Sequence, residues 1–501
     1  MSADAIGFAL LILGLALLIG KMMRVGFGWV QSLFLPSSIL GGALLLLLGP
    51  QVLGKFDGPW GENGLFTEAM VDVWSALPGL LISVIFATMF LGQKLPTPKR
   101  AVKLVGPQLS LGVAFGSGQY VVGLLLAALV LVPMFAAQPM TGALIEIGFE
   151  GGHGTAAGMR SVFEELGFGE GADLAVGLAT VGIVGGVVLG IALINWGVRT
   201  GKTEILKGDA KMSIAEQKGL FRKDENFSAG TMTSRPASVE PLSLHMSLVA
   251  VSVLLGWLIL EGLRWIEQQT YASFMLDDNT PLEIFAYVPL FPMALLGGVI
   301  VQFAAVKGGF DHLIDGATMQ RIQGLALDFL IVAAIGTLSL TAIGENLGTF
   351  IVLSVAGIVF NVALFLLLAP RIIGRYWFER GIGDFGQSMG VTATGLILMR
   401  VVDPEAKSPA FEAFGYKQLV FEPFFGGGLV TALAVPIIYL SGPWPLFGVM
   451  SVVFLIAVLS GLFYFRPREM KDRREWEENG GHDAEPEGDD DEARAASPDP
   501  A

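Results

Sequence analysis

Apolar residues along this chain come in long uninterrupted runs, separated by short stretches where glycine, proline and charge collect. A helix needs about 20 apolar residues to cross a hydrocarbon core about 30 Å thick. Runs that meet this test fall at about 5–20, 33–50, 73–92, 106–133 and 172–197 in the first half. In the second half they fall at about 242–265, 285–306, 323–343, 348–370, 418–441 and 446–465. The pattern predicts eleven crossings. The run at 33–50 is opened by Pro36 and broken by Gly41-Gly42. The first run follows MSADA, which carries an acid instead of a positive leader, while Lys21 and Arg24 come after it. It therefore reads as a spanning helix and not as a cleavable signal.

Charge in the loops fixes an expected orientation. Basic clusters stand at Lys21/Arg24, at Lys94/Lys99/Arg100/Lys103, throughout 199–240, at Lys307/Arg321, at Arg371/Arg375/Arg380 and at Arg466/Arg468. The alternate loops at 55–72 and 267–283 are net acidic. Cytoplasmic loops carry the excess of Lys and Arg, so the alternation predicts an external N-terminus and a cytoplasmic C-terminus in a cell inner membrane. Two glycine-rich, semi-polar stretches keep this parity only as re-entrant loops: about 141–169 and about 381–417.

These two stretches resemble each other. At an offset of 236, Phe149 meets Phe385, Gly154 meets Gly390 and Ala157 meets Ala393, and FEELGF (163–168) echoes FEAFGY (411–416). Five crossings per unit would insert the second copy upside down. The expected architecture is an all-α polytopic membrane protein. A first inverted repeat (1–198) is followed by a cytoplasmic linker (199–240), a second repeat (241–441), an extra crossing (442–466) and a disordered acidic tail (467–501). Inverted repeats with interrupted helices at mid-depth are the mark of alternating-access carriers.

Composition narrows the function further. Of 501 residues, 53% are hydrophobic and 15% charged, against about 25% charged in a typical soluble protein. The net charge of −14 is concentrated in loops and tail, and no basic domain exists to meet nucleic acid. Zero cysteines exclude disulfides and thiolate chemistry. No Walker sequence, HExxH spacing or nucleophile elbow is present, which argues against ATP-driven transport by this chain and against an intramembrane enzyme. A tandem filter motif, which a channel would need, is likewise not seen.

The candidate chemistry lies in the two glycine-rich stretches. In GGHGT, Gly151, Gly152 and Gly154 leave backbone groups open, Thr155 adds a hydroxyl, and His153 can donate or carry charge. A helix starting after such a turn favours an anion, so a small anionic solute is the expected partner besides membrane lipid. In GQSMGVTATG, Gly386 and Gly390 open the backbone, and Ser388, Thr392 and Thr394 bring hydroxyls that suit sodium. The alternative is that these glycines serve close helix packing, and that His153 is a structural donor. Arg160 could clamp a substrate carboxylate or reach out to water, the role expected of Arg400. Asp173, Asp328 and Glu422 read as solvated or capping groups near helix ends, and Asn361 as interhelical glue. No organic cofactor and no individually assigned metal ligand is expected.

GGHGT with the FEELGF segment, and GQSMGVTATG late in the chain, resemble the bacterial sodium/glutamate symporter family over about residues 5–441. The resemblance implies a homodimeric, elevator-type carrier of ten helices in two inverted five-helix units, with re-entrant loops forming the substrate and sodium sites. Carried over by position, these sites fall on Gly151, Gly152, His153, Gly154 and Thr155, and on Gly386, Ser388, Gly390, Thr392 and Thr394. There are departures. Glu150 stands where a small residue, often serine, precedes the first glycine pair, and Ser388 and Ala393 stand where some members carry glycine and proline. The eleventh helix and the acidic tail lie outside the resemblance. The expected activity is sodium-coupled uptake of glutamate or a related amino acid or carboxylate, with proton coupling as the alternative.

Overall fold

The computed structural model describes residues 3–478 apart from 33–34, 57, 94–97, 207–219, 221–227, 271–274, 278–279, 282–284 and 405. Residues 207–219 and 221–227 of the linker and residues 479–501 of the acidic tail lie outside the described residues. The architecture is helical, with one short antiparallel ladder pairing Met275–Asp277 with Thr280–Pro281.

The first half comprises α1 (Ala3–Gly26), α2 (Ser37–Leu48), α3 (Glu68–Thr88) and α4 (Pro98–Leu126). α4 is prolonged through a π turn, Ala127–Leu131, to Phe135. Three short helices follow, α5 (Leu144–Phe149), α6 (Gly152–Gly158) and α7 (Arg160–Glu165), and then the long α8 (Gly171–Arg199). The second half comprises α9 (Pro241–Thr270), α10 (Leu290–Gly308), α11 (Gly316–Gly336), α12 (Leu347–Ile372) and α13 (Trp377–Val402). Last come α14 (Ala410–Phe421), α15 (Leu429–Ser441) and α16 (Pro443–Leu459), which runs on through Ser460–Phe465 and Arg466–Glu478.

Local chemistry sets several of these boundaries. Thr67 caps α3 by accepting from the Met70 amide, and Asp315 caps α11 through the Thr318 amide at 2.8 Å. Gly309, at φ 72°, ends α10 in the left-handed conformation that glycine adopts without penalty. Eleven helices among the described residues are long and apolar enough to cross a membrane, and the chain is an integral membrane protein. The total equals the expected eleven only by exchange: Trp377–Val402 is counted although it is kinked at Gly390-Val391, and the predicted 418–441 run is not. α11 starts seven residues before the predicted 323–343 run, because Asp315 supplies a cap earlier than hydropathy rises. The predicted 418–441 crossing is split into α14 and α15 by an irregular segment, 422–428, whose glycines and Pro423 cannot carry a helix through. Gly41-Gly42 does not break α2. A methyl on Gly41 would fall 2.8 Å from the Ala16 carbonyl, so glycine there permits α1 and α2 to touch backbone to backbone. The predicted tail also begins later than expected, since 467–478 is helical.

The helices sort into two packing groups. α1, α2, α3, α9, α10 and α11 pack among themselves, around apolar clusters centred on Trp74 and Val332 and on Ala294 and Met319. The second group is α4, α5, α8 and α12 to α16; the largest apolar cluster runs through it and extends to Ile82 and Phe86 of α3, Phe291 of α10 and Leu330 of α11. Each group thus takes the first three helices, or the later elements, of both halves. α6 lies between the groups, touching α8 on one side and α3 and α11 on the other.

Candidate functional site

The longest interrupted element is α13. Its backbone leaves helical geometry at Gly390 (φ −156°, ψ 52°) and Val391 (φ 59°, ψ 172°). In a straight helix Gly386 and Gly395, nine residues apart, would be separated by roughly 13 Å at 1.5 Å per residue. Instead a methyl built on Gly386 would fall 2.7 Å from the Gly395 Cα, and one on Gly383 would strike the Met399 side chain. The two arms therefore fold back on each other as a helical hairpin with its tip at 390–391. Positive φ at a β-branched residue costs on the order of 1–3 kcal/mol and persists only where the surroundings over-determine it, which marks the tip as a constrained point.

Both arms lie along α8. Phe378 packs on Gly197, Met389 on Gly182 and Gly186, and Leu398 on Gly190. The chain thus runs from the C-terminal end of α8 to near its middle and back. The first interruption meets α8 at the same level from the other end. Phe149 packs on Gly182, His153 Nε2 lies 2.9 Å from Thr180 Oγ1, and Arg160 reaches Asp173 near the start of α8. Gly152, at φ 69°, carries the turn between α5 and α6. A side chain there would collide with Val391, at 2.3 Å from Cγ1, so the two tips touch.

The third interruption, 422–428, closes over this contact. The Gly426 amide donates to Glu146 Oε1 at 2.8 Å, and Thr431 Oγ1 donates to the same oxygen at 2.8 Å. Tyr120 of α4 donates to Glu146 Oε2 at 2.6 Å, so three donors answer this fully buried carboxylate. Gly426 and Gly427 both have positive φ, and together they form a strap over Glu150 and Thr155. A methyl on Gly426 would lie 3.6 Å from Glu150 Cγ, and one on Gly427 would lie 2.4 Å from Thr155 Oγ1.

Charge runs through the centre in a connected network. Ser388 donates to Glu150 Oε1 at 3.2 Å. Lys417 of α14 is buried, ion-paired to Asp384 at 3.0 Å, hydrogen-bonded to Gln387, and seated 4.4 Å from the Phe421 ring centroid. Asp384 also accepts from Gln108 at 2.7 Å, and Gln108 accepts from Arg380, which pairs with Glu469 of the last helix at 3.2 Å. On the other flank of the tip, Thr392 and Gln418 donate to Glu422 Oε1 at 2.9 and 2.7 Å. Several buried polar atoms at the tips have no partner: Glu150 Oε2, Thr155 Oγ1 and His153 Nδ1.

The predicted residues separate on this geometry. Gly151, Gly152, Thr155, Ser388, Gly390 and Thr392 stand at the meeting tips. Gly154 does not face its predicted counterpart Gly390. Its open side meets Ile82 of α3 at 3.0 Å, and Gly158 one turn later meets the same side chain, which is the packing role. His153 is turned to α8. Gly386 lets the hairpin arms approach, and Thr394 bends its hydroxyl back to the Gly390 carbonyl at 2.5 Å. Arg160 is held by Asp173 at 2.9 Å, which also accepts from the Ser339 amide, so the structure commits it to an ion pair. Asp328 sits inside α11 facing Lys21 at 3.5 Å, and Arg400 is exposed. Asn361 serves as expected, donating with Gln119 to the Ser388 carbonyl that ends the first hairpin arm. Beside the expected hydroxyls stand the charged groups Glu146, Glu150, Asp384 and Lys417, all buried. Glu422 is a member of this network and not a solvated helix end. Lys417 escaped the sequence reading because FEAFGYK gives no sign that its last residue points inward; a lysine in the stretch following a glycine-rich repeat was the available signal.

Comparison with known proteins finds distant similarity to transporters. The chain is 23% identical over 433 residues to the sodium/glutamate symporter of Escherichia coli (strain K12), covering 86% of this chain and 96% of that protein. The sodium/glutamate symporter of Shigella flexneri matches to the same extent. No family model matches the chain. The similarity is to transporters, and it spans both packing groups.

Proposed function

We propose that the chain is a secondary active transporter of the sodium/glutamate symporter type, carrying an amino acid or related carboxylate into the cell with sodium. The observation that carries this reading is the meeting of three helix interruptions near the middle of α8, among buried polar atoms that lack partners. Irregular backbone at membrane depth is tolerated only where it is enclosed by protein or lines a cavity, and in carriers such points hold solute and ion. The α5–α6 turn and the α13 hairpin approach that level from opposite ends of α8, which supports two inverted repeats with re-entrant loops. The sorting of helices into two groups supports a scaffold and a moving body, as in an elevator. The solute and ion contacts are drawn from Gly151, Gly152, Thr155, Ser388, Gly390 and Thr392, with the Lys417–Asp384 pair the nearby buried charge. The N-terminus lies outside and the C-terminus inside, and the scaffold group would supply a homodimer contact.

Purified protein in liposomes tests the reading by uptake of labelled glutamate, and of a panel of neutral and acidic amino acids, with and without an inward sodium gradient. Sodium-driven accumulation of at least one of them is the expected result, and no accumulation of any under either gradient rejects it. Glu150 favours one second reading, since a buried carboxylate can carry a proton; uptake undiminished in sodium-free buffer but driven by a pH gradient would select it.

A further inference from the structure

We infer that Glu150 and Thr155 form a binding site for one monovalent alkali cation beneath the Gly426-Gly427 strap, an inference that rests on the sodium-coupled reading above and names the charged ligand of its coupling ion.

The buried carboxylates near the tips differ in how their charge is answered. Glu146 receives three donors and both its oxygens are used. Asp384 receives Lys417 on one oxygen and Gln108 on the other. Glu150, 3% exposed, receives the Ser388 hydroxyl on Oε1 and nothing on Oε2. An ionised oxygen left bare in a water-excluded interior is costly, and a cation is the partner that removes the cost. Five residues on, Thr155 is 1% exposed and its hydroxyl is also unpartnered.

The strap brings these two groups under one roof. Gly426 covers the Glu150 side chain at van der Waals distance, and Gly427 covers the Thr155 hydroxyl, where a methyl would stand 2.4 Å away; both have the positive φ that favours glycine. Gly116 of α4 closes the far side, where even a methyl would stand 3.0 Å from Oε2. This close cover argues against a bulky organic group as the partner of these oxygens. The charge is also right for a single positive unit, with one carboxylate and one neutral oxygen. Among the described residues no trio of His, Cys, Asp and Glu gathers to hold a more highly charged metal. His153 is turned away to Thr180 and takes no part.

The test is sodium binding by the purified full-length protein, measured with radioactive sodium and by thermal unfolding at constant pH and ionic strength, with choline as the replacement ion. It needs no solute, so its outcome is separate from the transport assay. Wild type should bind sodium and be stabilised by it. Glu150→Gln keeps an acceptor for Ser388 and removes the charge; its sodium affinity should fall by about 30-fold or more, the scale of losing a buried charge partner. Thr155→Val keeps the shape and removes the hydroxyl, and should weaken binding by a smaller factor. If Glu150→Gln does not fold, Glu150→Asp, which keeps the charge and withdraws it by one methylene, should bind sodium with intermediate affinity. The proposal is overturned by sodium binding that is equal in wild type and the folded variants. It is equally overturned by a wild type that binds no sodium and responds to pH alone. Sodium binding lost in Glu150→Gln, together with failure of every uptake assay, would leave the site standing and reject the transport reading.

Discussion

At Lys417 the chain buries an ammonium group with its charge answered by one carboxylate, one amide oxygen and two aromatic rings. Removing one member of a buried pair leaves the other uncompensated, at a cost of about 3–5 kcal/mol, whereas removing both can be nearly neutral. Lys417→Met should therefore strongly lower the thermal unfolding midpoint, and Asp384→Asn combined with it should recover most of the loss. A double variant as unstable as Lys417→Met would show that the pair is not the main partner. Glu146 offers a second case. Glu146→Leu strands Tyr120, Thr431 and the Gly426 amide, each costing about 1–3 kcal/mol when buried and unpaired. The same substitution also frees the strap, so faster hydrogen exchange at 425–427 is expected, and unchanged exchange there would contradict the anchoring role.

Among the elements, α8 holds the tips in register. Gly182 lets the Met389 carbonyl and the Phe149 ring come to its surface, where a methyl would stand 2.1 Å from that oxygen. Because the obstacle is backbone, it cannot step aside as a flexible side chain would, and overpacking of this kind costs about 1–3 kcal/mol or more. Gly182→Val should insert into the membrane normally yet lose uptake and thermal stability, while Gly185→Ala, whose added carbon meets the flexible ends of Met389 and Ile358, should have a much smaller effect. Equal effects of both substitutions would mean that α8 is not the element that registers the hairpin.

On the scale of the whole molecule, the two packing groups meet where Gly158 of α6 faces Ile82 of α3, with the added carbon 3.2 Å from Ile82 Cβ. That spacing is a few tenths of an ångström short of the Cβ separation of a disulfide, about 3.5–4.5 Å, which a small shift supplies, and the chain has no cysteine of its own to interfere. If the groups slide past each other during transport, Ile82→Cys with Gly158→Cys should lose uptake on oxidation and regain it on reduction. Uptake that persists through complete cross-linking would exclude motion at this contact. Orientation belongs to this scale too: cysteines placed at Trp60 and at Lys202 should react with a membrane-impermeant maleimide from outside only at position 60.

The sequence by itself determined the number and placement of most long helices, because a 20-residue apolar run has no alternative to a helix inside a bilayer. It also located two interruptions, since consecutive glycines in otherwise apolar helices have few other uses. Which glycine does what was decided only by tertiary structure. Gly154 and Gly390 correspond at the offset of 236, yet the first packs on Ile82 and the second sits at the hairpin tip, because that choice depends on which neighbouring helix lies opposite. The break at 422–428 hid inside a run whose mean hydropathy reads as one crossing, since Phe424, Phe425 and three glycines are apolar whether or not they are helical. Charge was the least legible. Glu146, Glu150, Asp384 and Lys417 are spread over 272 positions of sequence, and only the fold brings each acid to the donors, or to the bare space, that give it a role.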